Sequence, residues 1–220
     1  MEESLKKLGI RFNEVRQERA RKTLEDILQA AEEIVEEGDD SALDARNLSR
    51  KSGYALGSLV NRLGAIENVF LYAIAKARTR HIKEIAHKLK SLGVKATCRQ
   101  FSETIANESI VRIQKVNPAV IKFYEKRAFA RAGSPAEVYC YTDEIIDPLL
   151  ECIASNETGS FRHIDRTEAR YICRAMFLFV DRPFVEGDPI AGTDEHSRLI
   201  VENLSRLLAA DRWNSSVVPP

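Results

Sequence analysis

The chain has 220 residues, 44% hydrophobic and 30% charged, with a formal net charge of zero, an ordinary globular composition long enough to bury a core. No apolar run approaches the roughly 18–20 residues of a membrane helix, and the charged N-terminus lacks the apolar segment of a secretory signal, so a cytoplasmic location and no membrane partner are expected. The four cysteines, Cys98, Cys140, Cys152 and Cys173, form no C-x-x-C pair, which predicts reduced, buried thiols.

In chain order, the first predicted helix carries Leu24, Ile27, Leu28, Ala31, Ile34 and Val35 on one stripe, with Thr23 as N-cap and Gly38 as stop. A short segment from Ala45 to Lys51 follows, capped by Asp44, and Ala55–Leu63 makes a second short helix ended by Gly64. From Glu67 a long helix runs to about Leu92, its inward positions including Phe70, Ala73, Ile74, Ile82, Ile85 and Leu89. Further helices are predicted over 95–116, 118–131, 136–154, 165–182 and 193–211, between Gly- and Pro-containing breaks. The expected fold is all-α: a three-helix unit, then a larger helical domain. The first ten residues and "NSSVVPP" read as mobile ends.

Charge is unevenly placed. Residues 23–44 hold nine acids and no Lys or Arg, whereas residues 45–92 hold ten bases against Glu67 and Glu84. Such a change of sign suits a solvated acidic face followed by elements that meet a polyanion. It equally suits two helices that neutralise each other.

The stretch 45–63 has the helix-turn-helix plan, two short helices about a Gly-containing turn. Gly53 suits a position of positive φ, and Ser49 is small enough for close helix approach. Leu48, Leu59 and Leu63 would pin the unit to the first helix. Ala55, Gly57 and Ser58 keep the second helix's start slim, so that a DNA backbone can approach its amides. Tyr54, Ser58, Asn61 and Arg62 would face the groove or phosphates.

From Leu48 to Val69 the sequence resembles the signature of the tetracycline-repressor (TetR) family of bacterial regulators. Gly53, Gly57, Ser58, Leu59 and Glu67 match it, Leu63 and Val69 are apolar equivalents, and "TLEDILQAAEEIVEEGDDSA" looks like the family's first helix. The signature covers about residues 23–75. The resemblance implies DNA contacts at Arg46, Lys51, Tyr54, Ala55, Leu56, Gly57, Ser58, Asn61 and Arg62. It also implies residues 1–68 as the DNA-binding domain, with 1–22 an N-terminal extension, and residues 69–212 as an effector-binding and dimerisation domain. Val60 stands in place of a tyrosine, Ile66 of a lysine and Ala55 of a serine. The first two are phosphate-contacting positions in the family. Arg62, where a second tyrosine is common, would restore one phosphate contact, and the basic arm "RQERARK" at 16–22 would add another by reaching a groove or backbone.

Aromatic side chains are frequent over 95–160, and apolar pockets form between helices of a bundle. Phe101, Tyr124, Phe129, Tyr139 and Phe177 are candidates for an effector cavity, with Arg174. Arg170 and Arg174, one turn apart, could meet an anionic effector group or an acid across an interface. A stripe of Leu199, Ile200, Leu204, Leu207 and Leu208, facing Ile172, Met176 and Phe179, reads as a homodimer interface. His81 and His87 are six apart, which is not the spacing of a zinc pair. No nucleophile-elbow, P-loop or dinucleotide motif occurs, so neither an enzyme nor a cofactor or metal is expected. The leading reading is a homodimeric regulator, a repressor released from a palindromic operator in duplex DNA by a small-molecule effector. The alternatives are a helical interaction protein with a degenerate recognition helix, or a DNA-binding protein controlled by a protein partner.

Overall fold

The computed structural model describes residues 18–37, 43–63, 65–131 and 138–210, and the side chains of those residues except at 18–20, 60–63, 131, 140 and 141. The expectations placed on Gly38, Gly64, residues 1–10 and the C-terminal end lie outside them. The described residues form an all-α structure, whose β-type pairing is an isolated bridge between Phe161 and Ala209. Among them no helix is long and apolar enough to cross a membrane.

Helix α1 spans Glu18–Glu37. Thr23 is therefore buried within it and not its N-cap, and residues 18–22 of the expected arm continue it as helix. Helix α2, Ala45–Ser52, starts at Asp44, whose Oδ1 accepts from the amides of Arg46 (2.7 Å) and Asn47 (2.8 Å), satisfying donors that a helix start leaves orphaned. It ends at Gly53 with φ +74°, a left-handed conformation that glycine adopts without the Cβ penalty. Helix α3 covers Leu56–Leu63 and α4 covers Ile66–Ser91, the latter about 40 Å long at 1.5 Å per residue.

Helix α5, Cys98–Ile113, begins with a reciprocal cap between Thr97 and Gln100, and α6, Pro118–Arg131, has its proline at the first helical position. The single helix expected over 136–154 is instead a 3-10 helix, Cys140–Ile145, followed by α7, Ile146–Ala154. Pro148 explains the restart, because a proline fits a helix without loss of a hydrogen bond only in its first turn. Helix α8, Arg166–Glu186, is capped by Asp165 and by Gly187 at φ +75°. It continues past Pro183, where the sequence reading ended it. Pro183 offers no amide to the Phe179 carbonyl four residues back; the imidazole of His196 takes that place, its Nε2 lying 2.9 Å from Phe179 O. The Gly192 amide donates to His196 Nδ1 at 3.1 Å, which assigns the ring proton to Nε2. Helix α9 spans Asp194–Leu208.

The chain forms two compact units. The first comprises residues 1–80 and 115–141. Its core brings Ile27, Ala31 and Ile34 of α1 onto Leu48, Leu59, Phe70 and Ile74, and it also takes Val120, Tyr124 and Ala128 from α6. The second comprises residues 81–114 and 142–220. There α9 packs chiefly against α5, and α8 against α5, α7 and α9, burying Phe101, Ile105, Met176 and Leu204. The end of α9 is tied down where Arg162 donates its amide to Leu208 O and its side chain to Leu207 O.

Candidate nucleic-acid interface

Leu48 and Leu59 are completely buried and fix α2 and α3 on α1, as their spacing predicted. Between them the Gly53 amide returns to Ser49 O at 3.0 Å, and the Ser49 hydroxyl donates to Tyr54 O at 2.7 Å. The turn is thus closed by backbone and side-chain bonds together. Ala55 then accepts from the amides of Ser58 and Leu59, starting α3.

Ala55, Leu56, Gly57 and Ser58 are all exposed. Leu56 is a large apolar residue left 45% accessible at the first turn of α3. At Gly57 an added Cβ would meet no atom within 4 Å. Glycine there answers no packing need among the described residues, although it weakens a helix interior by about 1 kcal/mol relative to alanine. Arg46 is exposed on the first turn of α2, and Arg50, also exposed, donates to Asn47. The side chains of Asn61 and Arg62, like those of Val60 and Leu63, lie outside the described residues.

Two expected DNA contacts sit differently. Tyr54 turns inward: its ring is half-buried against the core of the first unit, and its hydroxyl donates to Asp26 Oδ2 at 2.7 Å. An aromatic ring directly after the αL glycine finds its apolar contact on α1, with a carboxylate at its polar tip. Lys51 pairs with Glu37 at 2.6 Å and Glu33 at 3.4 Å, and chiefly the hydrogen bond to Glu37 raises its pKa. The acidic face of α1 also holds Lys76 through Glu32 and Arg80 through Glu36. Part of the basic run that follows residue 45 therefore neutralises α1, the second of the two readings the charge pattern allowed.

The six effector candidates fall in both units: Tyr124, Phe129 and Tyr139 in the first, Phe101, Arg174 and Phe177 in the second. Phe129 and Tyr139 meet edge to face at 5.8 Å, and Tyr124 is fully buried beneath Arg78. In the second unit a void of only about 10 Å³ lies among Phe101, Ile105, Cys173, Met176 and Leu204. Burial pushes Cys173 up to about 12 and Cys98 up to about 11, leaving both thiols weak nucleophiles at neutral pH.

The expected dimer stripe is corrected in part. Ile172, Met176, Ile200, Leu204 and Leu208 are buried within the second unit of the single chain, because α5 covers the face that the sequence left uncovered. Phe179 and Leu199 remain exposed and Leu207 partly so, and Tyr171 is 67% accessible. An open groove of about 570 Å³ runs past Asp165, Tyr171, Ala175 and Leu207. The sequence reading missed two groups here. Asp143 faces Arg170 and Arg174, and His196 serves the proline-interrupted α8; neither partner is near in sequence.

No protein-family model matches the chain, and no curated protein matches it. Solved structures do. A TetR-family member from Streptomyces coelicolor A3 is 17% identical over 84% of this chain and 98% of its own, with a TM-score of 0.52. The multidrug binding protein EbrR, solved with imidazole, is 14% identical over 90% and 99%, with a TM-score of 0.55. A TetR-family transcription regulator from a Shewanella species is 14% identical over 86% and 99%, with a TM-score of 0.53. The chain has the all-α fold of the TetR-family regulators.

Proposed function

We propose that the protein is a DNA-binding transcription regulator, a homodimeric repressor that leaves a palindromic operator when a small molecule binds. The observation that carries the reading is the start of α3, where Ala55, Leu56, Gly57 and Ser58 are exposed behind two buried leucines. A slim, amide-presenting helix start suits close approach to a phosphate backbone, and the TetR-like fold supports the same use. DNA contact is assigned to residues 1–68, including Arg46, Leu56, Ser58, Asn61 and Arg62, and effector binding and dimerisation to 69–212. Self-association would use the apolar groups still exposed on α8 and α9, Tyr171, Phe179, Leu199 and Leu207. Helix α4 contributes residues to both units, which makes it the element through which an effector would act. The effector can act only by its differential affinity for two states, so DNA must reciprocally weaken its binding.

The test is fluorescence anisotropy with fragments of the gene's own upstream region and with random duplexes, across a salt series. The expected result is tighter binding to the upstream fragment, and a log K that falls with log salt in proportion to the phosphates contacted. Equal binding to both at every salt overturns the operator reading. The pairing of Lys51 with Glu33 and Glu37 removes one expected phosphate contact and favours the alternative of a helical interaction protein, which absence of all salt-dependent DNA binding would leave standing.

A further inference from the structure

Three arginines stand one turn apart along α8: Arg166, Arg170 and Arg174. Two carboxylates face them, Asp147 from α7 and Asp143 from the 3-10 helix. Arg166 grips both oxygens of Asp147. Arg170 and Arg174 are left to share Asp143, and neither reaches it. Arg170 Nε and Arg174 Nη2 each stop 3.8 Å from Asp143 Oδ1, beyond hydrogen-bonding distance. Arg170 Nε, Arg174 Nε and Asp143 Oδ1 are screened from solvent without a hydrogen-bond partner among the described residues. The neighbouring Glu144 faces Lys83 at 3.6 Å. The cluster thus holds one more guanidinium than carboxylate, and with Arg170 43% and Arg174 21% exposed an incoming anion can meet the excess charge from solvent. Cys173, on which the Asp143 charge acts, lines the small void together with Ile145, Phe101 and Met176.

We propose that this cluster is the head-group site of a monocarboxylate effector with an apolar body, which deepens the effector reading above and rests on it. The carboxylate bridges Arg170 and Arg174, whose planar forks match its geometry, and its single charge balances the excess. The body lies against Cys173 and Ile145. Because the void admits no more than a water-sized molecule, seating the body moves α8 relative to α5.

The test uses the full-length protein with octanoate, 1-octanol and octyl phosphate, read by thermal shift and calorimetry. Octanoate is expected to stabilise the protein and octanol at the same concentration is not. Arg174→Gln and Arg170→Gln should each weaken octanoate about 10- to 100-fold, the range of one charged hydrogen-bonded contact, while Arg166→Gln, which lowers the excess charge without removing a bridging fork, should weaken it less. Asp143→Asn removes the competing carboxylate and should tighten octanoate about tenfold, an effect that a purely structural triad would not produce. Equal binding of octanoate and octanol, no stabilisation by octanoate, tighter binding of octyl phosphate, or an Asp143→Asn variant with lowered Tm and unchanged affinity each overturns the proposal. So does an Arg174→Gln variant that self-associates more weakly yet binds octanoate as before. Octanoate that binds at these arginines without loosening DNA supports the site and removes its effector role. DNA release by a neutral ligand, with no octanoate binding, overturns the site and keeps the effector reading.

Discussion

Gly57 lets stability and the proposed DNA contact be tested at one residue. Its Cβ position is open, so Gly57→Ala should raise stability by up to about 1 kcal/mol through helix propensity alone. The same methyl would stand where a phosphate backbone must come close, so DNA affinity should fall while Tm rises. Urea unfolding and anisotropy on one variant measure both, and a Tm gain with unchanged DNA affinity would show that nothing approaches there. His81 supplies a second residue-scale prediction. Burial first, then the Arg112 charge, lowers its pKa from 6.5 to about 4, against the opposing pull of Glu84 and Glu108. The unfolded chain binds the proton more readily between those values. Stability is therefore complete above about pH 6.5 and declines as pH falls toward 4, by about 3 kcal/mol at most. His81→Gln should flatten that part of a denaturation-against-pH curve, and an unaltered slope would assign the loss to carboxylates. Local chemistry of this kind was legible where partners are close in sequence: Asp44 capping α2 and Gly53 closing it follow from spacing alone. The inward turn of Tyr54 was not, because Asp26 lies in another helix, 28 residues away.

Helices α7 and α8 show how far a single proline decides an element. At Pro148 the ring sits in a first turn and divides one expected helix into two; at Pro183 it sits inside a helix that carries on. The difference is His196. A fully buried carbonyl without a donor costs about 1–3 kcal/mol; the Phe179 carbonyl is part-buried, so His196, from α9, removes a cost at the lower end of that range. His196→Leu should therefore destabilise the native chain by about that amount. In a Pro183→Ala background the new amide can bond Phe179 O directly, and the same substitution should cost measurably less. A double-mutant cycle in urea reads the coupling, for which about 0.5–3 kcal/mol is usual between contacting residues. Additivity would mean that His196 matters only through its packing on Phe184, 5.7 Å away. The sequence shows each proline but not whether a remote donor supports it, which is why one expected helix is left undivided and the other ends too soon.

At the scale of the molecule, periodicity was sufficient for an all-α chain and for the helix-turn-helix, whose constraints act within twenty residues. It was insufficient for the second unit. Ile200, Leu204 and Leu208 announce a buried face, but a stripe does not say whether a second copy or another helix of the same chain covers it, and here α5 does. The self-association surface proposed above is correspondingly small and mixed, led by Tyr171 and Leu199, and Leu199→Glu should shift a sedimentation equilibrium toward monomer without lowering Tm. A chain whose mass stays dimeric in that variant would place the contact elsewhere. The first unit is discontinuous in the chain. Tyr124 and Val120 belong to the same core as Ile27 and Leu48, and they leave the ribosome some forty residues after α4 begins its second half. Until α6 has emerged, the first unit therefore lacks part of its core. On the proposed function, an unfinished chain would present its DNA-contacting surface on an incomplete core.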